Sequence, residues 1–301
     1  MNTGIKTKNL FASQKLAPYI FVSPFIITFV VFFAYPIFST IMMSFQKIEG
    51  IGSGTFTGLS NYTALMGDTK FHSALKTNTI YTLLTLLVLI PLPMFLAVLL
   101  NSRFMAGRSF FRSALFIPAL TSVIVAGIFF RYAFGDQETT LFNSILGNFG
   151  IAPQAWLQNG VSGMLILVLI ATWRWMGVNI IYFLSGLQSI PAEQYESADI
   201  DGANAWDKFI RITIPGLKPV IIYVLTISIY GGYVMFAESY VLWTNMFGDI
   251  GLTIVRYIYE LAFNLGYMGL AAALGVALLV IIMTVNMIQL AFFGLFRKES
   301  D

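Results

Sequence analysis

Along most of this chain the charged residues do not alternate with apolar ones; they are displaced to the ends of long apolar runs. Six runs are nearly free of acidic and basic side chains: 16–46, 77–102, 113–130, 161–187 (interrupted by Arg174), 219–237, and a run inside 261–296 centred on 269–292. About 20 apolar residues in a helix rising 1.5 Å per residue cross the roughly 30 Å of bilayer hydrocarbon. The pattern predicts an all-α polytopic membrane protein with six transmembrane helices, at about 17–45, 77–101, 110–134, 161–187, 217–237 and 266–293, forming a single transmembrane domain. The first run is far longer than the apolar part of a signal peptide and reads as an uncleaved span. Pro91 and Pro93 sit inside the second run and are expected to kink it.

Composition supports this reading. Hydrophobic residues make up 57% of the chain and charged residues 10%, against about 45–50% and about 25% in soluble domains. The net charge of +3 comes from scattered cations, which does not describe a nucleic-acid-binding face. There is no cysteine and a single histidine, His72, so disulfides, Cys-based metal sites and a Ser/His/Asp arrangement have no material. No G-x-x-x-x-G-K-[ST] phosphate loop is present, so the chain is not expected to hydrolyse ATP or to be an enzyme.

The cations instead set topology, because Lys and Arg accumulate on the cytoplasmic side. With the N-terminus inside, inner segments hold Lys6, Lys8, Lys15, Arg103, Arg108, Arg112, Lys208, Arg211, Lys218, Arg297 and Lys298; outer segments hold Lys47, Lys70, Lys76, Arg131 and Arg256. Both termini are therefore expected in the cytoplasm. The inner segment 188–218 is unusual in carrying Glu193, Glu196, Asp199, Asp201 and Asp207, which points to a protein partner.

This segment reads as an elbow of two short helices. Pro191 and Glu193 suit a first helical turn, with a helix over 192–198. Gly202 breaks it, since glycine takes a left-handed conformation cheaply. Asn204 can cap a second helix with Asp207 at its third position, and Asp207 and Arg211 are spaced for an i,i+4 pair. Trp206, Phe209, Ile210 and Thr213 fall on one face; Pro215 and Pro219 close the unit. Trp206 and Phe209 either seat the elbow on a partner or pack on the chain's own spans.

The spacing Glu196-Ser197-Ala198, Gly202, then Ile212-Thr213-Ile214-Pro215 resembles the coupling-loop signature of permease subunits of bacterial ATP-binding-cassette importers: Glu-Ala-Ala, three residues, Gly, nine residues, Ile-x-Leu-Pro. Further pieces resemble the binding-protein-dependent carbohydrate-uptake branch, the maltose and glycerol-phosphate type. They are Ser23-Pro24, Tyr35-Pro36, Gly58-Leu59 with Asn61-Tyr62, Asn78-Thr79, Leu187 to Pro191, and Asp201-Gly202-Ala203. Where that branch often has Gly-Gly-Pro after the fifth span, this chain reads Thr244 to Asp249, which leaves the substrate open. The resemblance implies ATP-driven import of a sugar or oligosaccharide across a bacterial inner membrane. It implies a second permease, an ATPase dimer that holds ATP and Mg, and an extracytoplasmic solute-binding protein, with no cofactor in this chain. It also implies that Glu196, Ser197, Ala198, Asp199, Gly202, Ala203, Trp206, Phe209 and Pro215 meet the ATPase.

Polar groups inside spans are costly and mark candidate transport sites. Trp173, Arg174, Trp175 and Asn179 lie in the fourth span; indole stacks on sugar rings and Arg binds hydroxyls or carboxylates. The indoles would otherwise mark an interfacial belt. The fifth span holds Ser228, Tyr230, Gly231, Gly232, Tyr233 and Glu238. The resemblance implicates Ser228, Gly232 and Tyr233, with Gly-mediated helix packing as the competing reading. Glu238 either pairs with Arg174 or reaches the outer surface. If Arg174 faces the pathway, an acidic sugar or sugar phosphate becomes a candidate. The alternatives are import of another solute such as a peptide, ion-coupled secondary transport, and an ATPase-binding anchor that does not transport.

Overall fold

The computed structural model describes residues 16–50, 52, 54–102, 105–243 and 249–294. Lys6, Lys8, Lys15, Arg103, Arg297, Lys298 and the stretch 244–248 lie outside the described residues. Five helical runs are long and apolar enough to cross a bilayer: Ala17–Ser44, Thr69–Asn101, Gly160–Gln188, Lys218–Leu242 and Met268–Phe292. A bent pair, Arg108–Leu120 with Val123–Ala133, is long and apolar enough only when its two helices are taken together, and counted as one span it brings the number to six. The chain divides into two compact units, Met1–Leu65 with Leu261–Val276, and Met66–Glu260 with Ala277–Asp301.

In the first unit, α1 (Ala17–Phe29) runs through a π turn, Val30–Ala34, into α2 (Tyr35–Ser44). The π turn ends just before Pro36, which has no N–H to give the preceding turn; the Tyr35 N–H bonds Val30 instead. Nothing in the apolar core of this run is buried. Phe25, Phe29 and Phe33 stack along it at 6.4 and 6.1 Å, a face suited to lipid. The strands β1 (Gln46–Lys47) and β2 (Thr55–Phe56) pair antiparallel. They are fastened by Asn61, at the start of α3 (Ser60–Met66), whose Nδ2 donates to the Ser44 and Gln46 carbonyls at 2.9 Å.

The second unit begins with α4 (Thr69–Leu89) and α5 (Pro91–Asn101), followed by α6 (Arg108–Phe116), a 3₁₀ turn Ile117–Leu120, α7 (Val123–Ala133) and α8 (Leu141–Asn148). Next comes the longest helix, α9 (Gly160–Gln188). The elbow is α10 (Ala192–Ile200), α11 (Ala205–Lys208), a π turn and α12 (Ile214–Gly216). It leads into α13 (Lys218–Tyr233), α14 (Ala237–Leu242) and α15 (Ile254–Tyr259); α16 (Met268–Phe292) belongs to the first unit up to Val276 and to the second from Ala277. Helix α9 is the spine: α4, α5, α6 and α13 all pack on it. One core gathers Leu157, Leu167, Ile170 and Trp243; another gathers Ala97, Ile180, Phe183, Leu217 and Val224. Moving an apolar side chain from lipid to such a core gains little, so close packing and interhelical hydrogen bonds carry the assembly. At Gly177 a Cβ would overlap the Leu115 backbone, so α6 rests directly on α9.

Two expected spans are not continuous. The third, expected as one span over 110–134, bends by 94° between Leu120 and Val123. Pro118 favours the tight 3₁₀ turn there, the Thr121 N–H returns to the Pro118 carbonyl, and Thr121 and Ser122 are extended. The fifth, expected over 217–237, stops at Tyr233 and restarts at Ala237.

Each break exposes backbone groups that apolar surroundings cannot satisfy. Asn78 of α4 is fully buried. Its Nδ2 donates to the Gly232 carbonyl at 2.8 Å and the Tyr233 carbonyl at 3.3 Å, and its Oδ1 accepts from the Ile254 N–H at 2.8 Å. It thereby ties the end of α13 and the start of α15 to α4. Beside it Tyr257 donates to Asp68, the cap of α4. Burial, reinforced by that bond and by the Asp68 charge, holds the Tyr257 phenol above its ordinary range. In the second span the helix is interrupted at Ile90, and Pro93 cannot supply the N–H that would bond Leu89. Asn179 of α9 takes its place, donating Nδ2 to the Leu89 carbonyl at 3.0 Å.

Asn179→Leu leaves that carbonyl without a donor and is expected to cost about 1–3 kcal/mol. Pro93→Ala returns a backbone N–H to the same carbonyl, so the double variant should recover much of the loss. Unfolding free energies of the four species in detergent check this; single losses that merely add would show that the two residues do not share the carbonyl.

Candidate functional site

In the second unit a groove of about 540 Å³ opens beside the middle of α9. Three helix interruptions meet at it. Leu89 precedes the break between α4 and α5, Val123 follows the bend between α6 and α7, and Val234 to Phe236 link α13 to α14. Interrupted helices around a cavity are how membrane proteins bring polar backbone and side chains to mid-depth.

Arg174 sits 14 residues from either end of the 29-residue α9 (174 − 160 and 188 − 174), so about 21 Å of helix extends each way. Its Nη1 donates to Glu238 Oε1 at 2.8 Å, with the two side chains 11% and 13% exposed. Removing two charges from water costs several kcal/mol each, roughly, and the bond between them offsets it. The Arg174 guanidinium also lies 5.4 Å from the Trp175 ring centre, while its Nε is buried without a hydrogen-bond partner. Trp175, Tyr182 and Tyr230 stand along the groove with exposed ring area. Apolar ring faces beside a few polar groups suit the C–H faces and hydroxyls of a sugar.

Of the eight pathway residues marked by sequence, Arg174, Trp175, Asn179, Ser228, Gly232 and Glu238 line this groove, and Trp173 and Tyr233 do not. Trp173 packs on Phe130 at 5.8 Å; two residues of helix turn it about 200° from Trp175. Tyr233 is buried, with its hydroxyl 3.1 Å from Thr79 Oγ1. Asn179 is 3% exposed and its amide nitrogen is committed to Leu89. The paired glycines divide the labour. A Cβ on Gly232 would overlap Thr82, so that position is for packing, whereas one on Gly231 would meet open space in the groove. Tyr182 was not marked by sequence, yet Trp175, Val178 and Tyr182 share a face at i, i+3 and i+7.

The elbow follows its sequence closely. Gly202 takes φ +76°. Asn204 Oδ1 accepts from the Trp206 and Asp207 N–H groups at 2.9 Å. The expected Asp207–Arg211 pair is absent among the described residues. Lys208 instead reaches across the glycine to Asp199 at 2.6 Å. The cause is the π turn Phe209–Thr213, which departs from the α spacing that an i,i+4 pair needs. The Ala203 N–H bonds the Ala198 carbonyl and the Tyr195 hydroxyl bonds Thr213 Oγ1, both at 2.9 Å, so the two helices are braced at three points. Phe209 packs into the chain's own core, while Trp206 is 68% exposed. Glu196, Ser197, Asp199, Gly202 and Pro215 are exposed and Ala198 and Ala203 half-buried. Ile200 is the most exposed large apolar side chain described.

Residues 89–297 match the family model described as "Binding-protein-dependent transport system inner membrane component". Arabinooligosaccharides transport system permease protein AraP of Bacillus subtilis (strain 168) is 55% identical, over 97% of this chain and 93% of that protein. AraP of Halalkalibacterium halodurans is 48% identical over 97% and 92%. A permease chain in the crystal structure of a bacterial ABC transporter that imports the acidic polysaccharide alginate superposes with a TM-score of 0.83, at 24% identity, covering 94% of this chain and 96% of that one. This chain belongs to the family of binding-protein-dependent transport system inner membrane components.

Proposed function

We propose that this chain is a permease subunit of an ATP-binding-cassette importer and that oligosaccharide crosses the membrane through the groove beside α9. The groove itself carries the reading: a cavity at the midpoint of the longest span, with aromatic rings and a paired Arg174–Glu238. The high identity to two permeases named for arabinooligosaccharides supports an arabinose-based oligosaccharide as substrate. The chain sits in a bacterial plasma membrane with both termini cytoplasmic. It works with a second permease and an extracytoplasmic binding protein, and with an ATPase dimer that holds ATP and Mg.

The braced elbow supplies the coupling. Its exposed face, with Glu196, Ile200 and Trp206, docks on the ATPase, where Glu196 makes charge-assisted contacts. Because Lys208–Asp199 and Tyr195–Thr213 fix the angle at Gly202, movement of the ATPase passes into α9 and α13 rather than being lost in the hinge. The ion pair argues against an ion-coupled carrier, since its carboxylate is already bonded to a guanidinium.

Two outcomes are expected. Gly231→Leu adds bulk to the groove at a position where a Cβ meets open space, and should reduce oligosaccharide uptake by cells at least about tenfold while membrane-inserted protein stays at the normal level. Full uptake by that variant would place the pathway elsewhere. Gly202→Asp forces a side chain into left-handed backbone, and Glu196→Lys reverses the docking charge; both should abolish uptake and uncouple ATP hydrolysis, with insertion preserved. A well-inserted Gly202→Asp transporter that imports normally would remove the elbow from the coupling path.

A further inference from the structure

The charge pattern of the groove goes further than its shape, provided that the groove is the substrate path. Among its described lining residues Arg174 and Glu238 alone carry full charges, and they are bonded to each other at 2.8 Å. The remaining lining is apolar, aromatic or neutral polar. We infer that the Arg174–Glu238 pair makes this groove a charge filter, which admits neutral oligosaccharides and turns acidic ones away.

An isolated Arg at mid-membrane would be a strong receptor for carboxylates, forming paired charge-assisted bonds. Here Glu238 already occupies that role. A uronate entering the groove must displace Glu238 or lie beside it, and in either case one carboxylate is stripped of water and left uncompensated. A neutral sugar meets no such obstacle. Its C–H faces can lie on Trp175 and Tyr230, which line the groove with exposed ring area. Arg174 and Trp175 come from α9 and Glu238 from α14, across the non-helical link from α13. The filter therefore exists only while these elements are docked. An acidic substrate, the expectation when Arg174 is considered without Glu238, is thereby turned into its opposite.

Saturation-transfer NMR on the complete transporter in nanodiscs, without the binding protein, tests this with arabinotriose and trigalacturonate as probes. Wild type should show saturation transfer to arabinotriose and none to trigalacturonate. Glu238→Gln frees Arg174 and should raise trigalacturonate affinity at least about tenfold, an effect that fades with added salt. Ser228→Arg adds a cation to the same lining with the pair intact, and should also admit trigalacturonate, so the test survives if Glu238→Gln fails to assemble. Arabinotriose binding with trigalacturonate silent in both variants would overturn the filter and leave the groove as the substrate path. No arabinotriose signal in wild type would overturn both.

Discussion

A carbonyl or N–H freed inside hydrocarbon has to find a partner within the protein, and this constraint organises the second unit. Its helices are interrupted three times where the groove lies: two interruptions are answered by a side chain from a neighbour, and the bend before α7 is closed by its own 3₁₀ turn. Asn179 satisfies Leu89, and Asn78 satisfies the end of α13 and the start of α15. Two of the breaks around the cavity are tolerated because asparagines stand opposite them. A membrane protein thus obtains a polar interior by local exchange of donors rather than by exposing backbone to lipid.

The same exchange explains the ion pair. A lone guanidinium at the centre of α9 would be expensive, and a lone carboxylate on α14 equally so. Bonded, they hold α14 against the middle of the longest helix while adding no net charge. Such a pair is weak evidence for stability in itself, because well-packed apolar residues serve that end as well or better. Its place in the groove puts the pair's charges beside whatever the cavity holds.

Much of this was legible in the sequence. Runs free of charge gave the spans, and the elbow around Gly202 was readable because its signals are local: a glycine, an asparagine cap and prolines at fixed offsets. What was not legible depends on tertiary contact. The 94° bend at Thr121 and Ser122 needs Pro118 and also the close seat of α6 on Gly177. The stop at Tyr233 needs Asn78, 155 residues earlier in the chain. Asn179 looked like a ligand for solute because a polar residue in a span is conspicuous, whereas the carbonyl orphaned by Pro93 is invisible without the fold. Gly231 and Gly232 have the same composition and opposite roles, decided by which face of α13 meets α4. The Asp207–Arg211 pair failed because ideal helical spacing was assumed across a π turn.

Helix α9 is uninterrupted, unlike the helical runs packed against it. From Arg174 at its midpoint it runs without a break to Gln188, at the foot of the elbow. Each residue added to or removed from that stretch would rotate the guanidinium by about 100° relative to the elbow. Groove and elbow are thus geared through a fixed number of peptide units. This part of the chain can vary widely in side chain and hardly at all in length.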